Sequence, residues 1–189
     1  PEIFSRILCE LRAFFKRHQL SVYDEESGEG LIRHIYLRRG EVSGEVLLTL
    51  VINGTSLPHS EELTELLQEK FPEIVGVLLN VNRENTNIIL GDKFITLSGR
   101  DYIFDTLGGV TLKITAPSFY QVNHAAAELL YAKAKELAAP TKKDLLLDLY
   151  CGAGSIGLSM ADEAGDYMTE AVNYYHTIYE DQEKYNESM

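Results

Sequence analysis

The sequence predicts two structures in succession: an α+β domain over residues 1–118, then over 119–161 the first helix, strand and glycine turn of an α/β unit. Three observations predict it. Up to Thr115, helical and strand-like runs follow one another without strict βαβ alternation. From Asn123 a helical pattern leads into the leucine-rich run Asp144–Tyr150. That run opens directly into Gly152-Ala153-Gly154-Ser155-Ile156-Gly157, small residues where a strand would turn into a helix. Residues 162–189 fit neither part and read as an acidic helical tail.

Ile3, Phe4, Ile7, Leu8, Leu11, Phe14 and Phe15 recur at helical spacing, so residues 2–18 form an amphipathic helix. Gly28 and Gly30 punctuate a polar loop. Leu31–Arg39 and Glu45–Ile52 are β-rich runs on either side of Gly40–Gly44, a hairpin by its turn residues. Asn53-Gly54 closes the second strand. Beyond Pro58, Leu63, Leu66, Leu67 and Phe71 mark a second helix, and Ser60 followed by Glu61 and Glu62 suits its N-terminus. Ile74–Asn82 reads as a buried strand. Shorter strands are expected at Asn87–Leu90, Phe94–Leu97, Tyr102–Asp105 and Val110–Thr115, with glycines at 91, 99, 108 and 109 in the turns. Ala126, Leu129, Leu130, Ala134 and Leu137 mark a helix to about Ala138, N-capped by Asn123 and stopped by Pro140. Asp144–Tyr150 is then a buried parallel strand and Ser155–Ala161 starts a further helix. In the tail, Met168, Val172, Tyr175 and Tyr179 give one more amphipathic helix.

At 189 residues, 45% hydrophobic and 24% charged, the chain has the profile of a globular protein. It contains no run of about 18 apolar residues, and its first 20 residues have no signal-peptide core. Two cysteines, Cys9 and Cys151, make neither a disulfide framework nor a thiolate metal site. A reducing, cytoplasmic setting without a membrane partner is the expectation, and no metal site is expected. The net charge of −12 argues against a broad basic nucleic-acid surface, but it is uneven. Residues 162–189 carry eight acids and one lysine, a net −7, which leaves −5 on residues 1–161.

A glycine turn between strand and helix lets backbone approach a ligand, and the helix start offers free amides. The competing reading is a tight turn with no ligand. A dinucleotide site wants an acid about 20 residues on, at the end of a next strand. Glu170 has that offset, but 162–169 holds no strand-like run before it. The acid here is Asp148, at the expected strand end, four residues before Gly152. That arrangement resembles motif one of the S-adenosylmethionine-dependent methyltransferases with a Rossmann-like fold, and the methyl donor is favoured over NAD. Upstream, Ala116-Pro117-Ser118-Phe119-Tyr120-Gln121-Val122-Asn123, followed after a helix by Leu147-Asp148-Leu149-Tyr150-Cys151-Gly152-Ala153-Gly154, resembles the RNA 5-methyluridine methyltransferases. The segment from Gly30 to Val46 resembles the hairpin of their central domain, and the likeness covers about residues 1–161.

The resemblance implies a chain whose second part is the truncated start of a Rossmann-like methyltransferase domain. It implies S-adenosylmethionine as cofactor, held by Gln121, Asp148, Tyr150, Gly152, Gly154 and Ser155, and RNA (rRNA or tRNA) as partner, met by Phe119 and Arg33. In that family a cysteine thiolate adds to uracil C6 so that C5 becomes nucleophilic, and a base later removes the C5 proton. Other readings stand beside these: Phe119 as a core aromatic, Tyr150 as a cap on the core, Arg33 as a solvated strand residue and His34 as structural. Gln121, polar between Phe119 and Val122, wants a partner. The family's serine-cysteine-asparagine segment, its D-P-P segment, its general base and its N-terminal RNA-binding barrel are not in these 189 residues. Cys151 belongs to the glycine motif and is not read as the nucleophile, so no catalytic residue is assigned. Two expectations follow. Either the chain is a piece of a uridine methyltransferase, inactive alone, or it is a non-catalytic RNA- or protein-binding remnant whose unfinished sheet is covered by the tail helix or by pairing into a homodimer.

Overall fold

The apolar spacing at the start of the chain forms α1 (Glu2–Arg17), whose buried face carries Ile7, Leu11, Phe14 and Phe15. The structure is a computed structural model and describes residues 1–85, 87–146 and 154–164. β1 (Ile32–Arg39) and β2 (Val46–Ile52) form the expected antiparallel hairpin. β2 is buried along its whole length, as its unbroken run of apolar residues and one threonine requires. On its other edge β2 pairs in parallel with β3 (Ile74–Val81). A tight turn cannot join parallel neighbours, so the chain crosses over through α2 (Ser60–Lys70). β4 (Lys93–Gly99) returns antiparallel to β3 and completes a mixed sheet in the order β1-β2-β3-β4. Ile7, Leu11 and Phe14 of α1 and Leu63 and Leu67 of α2 share one core with Leu48, Leu50, Ile52, Val77 and Leu79 of the central strands. The α+β class expected for this region is the one observed.

α2 starts at Ser60, with Glu61 and Glu62 in its first turn, as the sequence suggests; the capping position is His59, which takes a left-handed backbone (φ 59°, ψ 27°) and makes no side-chain capping bond. One expectation needs correction: residues 87–90 are not a strand. Two of their carbonyls are taken by one side chain instead of a ladder: buried Asn82 donates through Nδ2 to Ile88 O (2.7 Å) and Ile89 O (3.1 Å). Buried Asn80 clamps the adjoining Gly91, donating to its carbonyl (2.7 Å) and accepting from its amide (2.8 Å). Once side chains satisfy those backbone groups, no neighbouring strand is needed.

β5 (Tyr102–Leu107) and β6 (Val110–Thr115) form a separate two-stranded hairpin. α3 (His124–Ala138) is capped as expected, with Asn123 Oδ1 accepting from Ala126 N at 3.1 Å, and α4 (Ser155–Met160) starts at Gly154. The chain divides into two compact units. The first is Pro1–Asp105 with Lys113–Ser118; the second is Thr106–Leu112 with the chain from Phe119. Of the buried strand expected over Asp144–Tyr150, the described residues 144–146 carry no strand: Asp144 is engaged in a turn with Thr141 and Leu145 is exposed. Residues 147–150 of that strand, and 165–189 of the expected tail helix, lie outside the described residues. Among the described residues no helix is long and apolar enough to cross a membrane.

Within the first unit two polar contacts fix loops to the sheet. Asp105, 1% exposed, accepts from the amides of Glu41 (2.8 Å), Val42 (2.8 Å) and Ser43 (3.3 Å), which closes the β1–β2 turn. Arg38 donates to Ala116 O (2.9 Å) and to Ser118 O, at the end of the segment Lys113–Ser118. Asn82 has the most to lose on truncation, because its Oδ1 also accepts from Arg33 Nη1 at 2.9 Å. Asn82→Ala is expected to lower unfolding free energy by about 1–3 kcal/mol, from partly buried partners left unmatched. A urea midpoint equal to that of the unaltered chain would count against this account of residues 80–91.

Candidate functional site

Gly154 holds a left-handed backbone (φ 71°, ψ 11°) and hands the chain directly into α4. An L side chain there is strained, which is why the turn uses glycine. Ser155, the first residue of α4, is fixed from α3: its hydroxyl lies 2.6 Å from the hydroxyl of Tyr131. Tyr131 is buried, and Gly108 sits so close that a Cβ there would come within 2.9 Å of the Tyr131 ring and 3.0 Å of Ser159 Cβ. The same unit is tied by Glu128 Oε1, which accepts from Gly108 N (2.9 Å), and by a 2.8 Å bond between His124 Nε2 and Thr106 O. Lys135 pairs with Glu163 at 3.0 Å. The β5–β6 turn, α3 and α4 are therefore one bonded assembly around the start of α4.

The sequence-derived candidates fall in different places. Gly154 and Ser155 stand at the start of α4. Phe119 is 81% exposed, which corrects the reading of it as a core aromatic, and Val122 beside it is fully exposed. Gln121 is half-buried just ahead of α3. Arg33, in the first unit, is half-buried and not a freely solvated strand residue: Nη1 donates to Asn82 O (3.2 Å) and Glu84 O (2.7 Å), and the guanidinium lies 4.8 Å from the centre of the Tyr23 ring. Asp148, Tyr150 and Gly152 lie outside the described residues, as does Cys151. Cys9 is an exposed thiol on α1.

Sequence reasoning missed Tyr131. The signal was present but faint: Ala127 and Tyr131, four apart, are the buried positions of α3, whereas the leucines that marked the helix, Leu129, Leu130 and Leu137, are exposed. A phenol among alanines on the packed face has a polar tip that wants a partner, and Ser155 supplies it.

Below α3, Asp144 closes a turn by accepting from Thr141 Oγ1 (2.7 Å) and Thr141 N (2.8 Å). Those bonds, the hydroxyl first and the amide second, hold its carboxyl below the usual carboxylate range.

No protein-family model matches the chain. An uncharacterized RNA methyltransferase of Bacillus cereus is 38% identical over 158 residues, which is 84% of this chain and 34% of that protein. One from Lactococcus lactis is 43% identical over 163 residues, 86% of this chain and 35% of the relative. Among solved structures, the Pyrococcus abyssi tRNA (uracil-54, C5)-methyltransferase, in complex with S-adenosyl-L-homocysteine, matches with a TM-score of 0.69 at 29% identity, over 84% of this chain and 38% of that one. The chain thus spans about a third of the length of the curated relatives it matches.

Tyr131→Phe removes the hydroxyl facing Ser155 and is expected to destabilise the second unit by about 0.5–1.5 kcal/mol. Hydrogen exchange should quicken in α4 while β2 and β3 are unaffected; uniform protection in both would refute the assignment. A pH titration gives a second check. Because the folded state depresses the Asp144 carboxyl, its turn contributes fully above the ordinary carboxylate range and is released as pH falls through the lowered value. The carboxyl carbon shift of Asp144, followed by NMR, should titrate below that of an unbonded aspartate, and Thr141→Ala should return it upward.

Proposed function

Because the chain belongs to the RNA 5-methyluridine methyltransferase family over the stretch it shares with these relatives, we propose that it contributes to methylation of uracil C5 in RNA. In this reading the second unit is the beginning of a Rossmann-like methyltransferase fold. The observation that carries the proposal is Gly154, left-handed and opening α4 at the end of Asp148-Leu149-Tyr150-Cys151-Gly152-Ala153-Gly154. The first amides of a helix have no intrahelical acceptor, so this turn offers backbone donors in a setting where small residues leave space. Ser155 keeps its hydroxyl on Tyr131, so it presents its backbone to a ligand more readily than its side chain.

S-adenosylmethionine, when bound, would supply a methyl group activated by a sulfonium. Gln121, Gly152, Gly154 and Ser155 would hold it by amide and backbone groups, Asp148 by charge and Tyr150 by its ring. Phe119, whose ring stands in solvent, is suited to stack on an exposed base of RNA. Arg33 would serve RNA indirectly, by ordering residues 82–84, since its guanidinium already holds their carbonyls. With a net charge of −12, recognition falls to such shaped contacts and not to a basic surface. The setting proposed is cytoplasmic.

No group in these 189 residues is assigned as the nucleophile that adds to uracil C6, since Cys9 sits exposed on α1 and Cys151 belongs to the glycine motif. The expected outcome is that the purified polypeptide transfers no methyl group to RNA from labelled S-adenosylmethionine. Calorimetry with S-adenosylhomocysteine should show binding that Gly154→Val weakens at least tenfold while circular dichroism stays unchanged. Turnover abolished by Cys151→Ala would overturn the assignment of that cysteine. RNA binding with no affinity for the donor product would favour a non-catalytic RNA-binding module.

A further inference from the structure

The first unit contains a cluster of side chains that the methylation chemistry does not use. His18 follows α1, His59 precedes α2 and Glu62 lies in the first turn of α2, so the packing of both helices into one core brings the three together. The His18 ring lies between Phe14 (centroids 4.2 Å apart) and His59 (4.3 Å). Glu62 points one carboxylate oxygen at each imidazole: Oε1 is 3.2 Å from His18 Nε2 and Oε2 is 3.8 Å from His59 Nδ1. One ligand-capable atom from each residue lies within 4.8 Å of the other two.

Two further features set this cluster apart from an ordinary surface ion pair. His18 Nε2 is buried and, although close to Glu62, is not aligned for a hydrogen bond with it. His59 is held in a left-handed backbone (φ 59°), one of three non-glycine residues so placed among the described residues, and such positions cluster where a side chain is held for a task.

We propose that His18, His59 and Glu62 bind one divalent transition-metal ion of the zinc type. Zinc takes imidazole nitrogens and carboxylate oxygens at about 2.0–2.2 Å in a tetrahedron, which sets donor atoms roughly 3.3–3.5 Å apart. The 3.2 Å pair is already close to that spacing, and His59 and Glu62, each half exposed, can turn to close the remainder. Three protein ligands leave the fourth position to water. Two imidazoles in the set disfavour magnesium and calcium, which take oxygen ligands. The ion would clasp the end of α1 to the start of α2. It is independent of the glycine turn and of the donor proposed there.

The test uses the whole 189-residue chain, stripped with a chelator and titrated with zinc chloride by calorimetry, with magnesium chloride as control. One zinc per chain is expected, with a raised thermal midpoint that magnesium does not reproduce. His59→Asn, chosen because asparagine tolerates the left-handed backbone, and Glu62→Gln should each weaken zinc at least tenfold. Their metal-free midpoints should stay near that of the unaltered chain. Cobalt substituted for zinc should give visible d–d absorption that both variants lose. Absence of saturable zinc binding would overturn the proposal. So would undiminished binding by the double variant, which would put the ion elsewhere, for example on Cys9 or the acidic tail.

Discussion

The first unit is built around a strand with no solvent-facing side. β2 is buried from Val46 to Ile52, and each of its edges is paired, to β1 in one direction and to β3 in the other. A strand so placed must be apolar almost throughout, and its parallel neighbour must be reached by a crossover. That requirement accounts for α2, and α2 in turn needs α1 beside it to complete the core over Leu48, Leu50 and Ile52. The contacts made by His18, His59 and Glu62 are a by-product of the same constraint, since they stand where one helix stops and the other starts.

Much of this was legible in the residues because local pattern and tertiary need agree. The spacing of Ile7, Leu11, Phe14 and Phe15 specifies both a helix and its buried face, and glycines at the β1–β2 turn specify the hairpin. Misreadings arose where side chains replace backbone partners. Asn87–Leu90 looks β-prone, yet Asn82, several residues upstream, occupies the carbonyls of Ile88 and Ile89, and Asn80 fastens the adjoining Gly91. An asparagine in a strand gives no sign of which loop it will fasten.

At the candidate site the turn was legible and its support was not. The start of a helix at Ser155, straight after Gly154, could be read from the glycine pattern, while Tyr131, 24 residues upstream of Ser155, became visible only once α3 was seen to bury its alanine side. Phe119 could be read either way by local pattern, and its exposure decides the matter. The histidine and glutamate cluster was beyond reach for a different reason: 41 positions separate His18 from His59, and no local motif links them.

The leucines that α3 leaves in water have a practical side. Leu129, Leu130 and Leu137 form apolar surface whose affinity for other apolar surface strengthens in sulfate or phosphate and weakens on cooling. Precipitation trials and storage buffers will therefore act on this helix before they act on the sheet, and cold, low-salt handling is the regime in which the polypeptide stays dispersed.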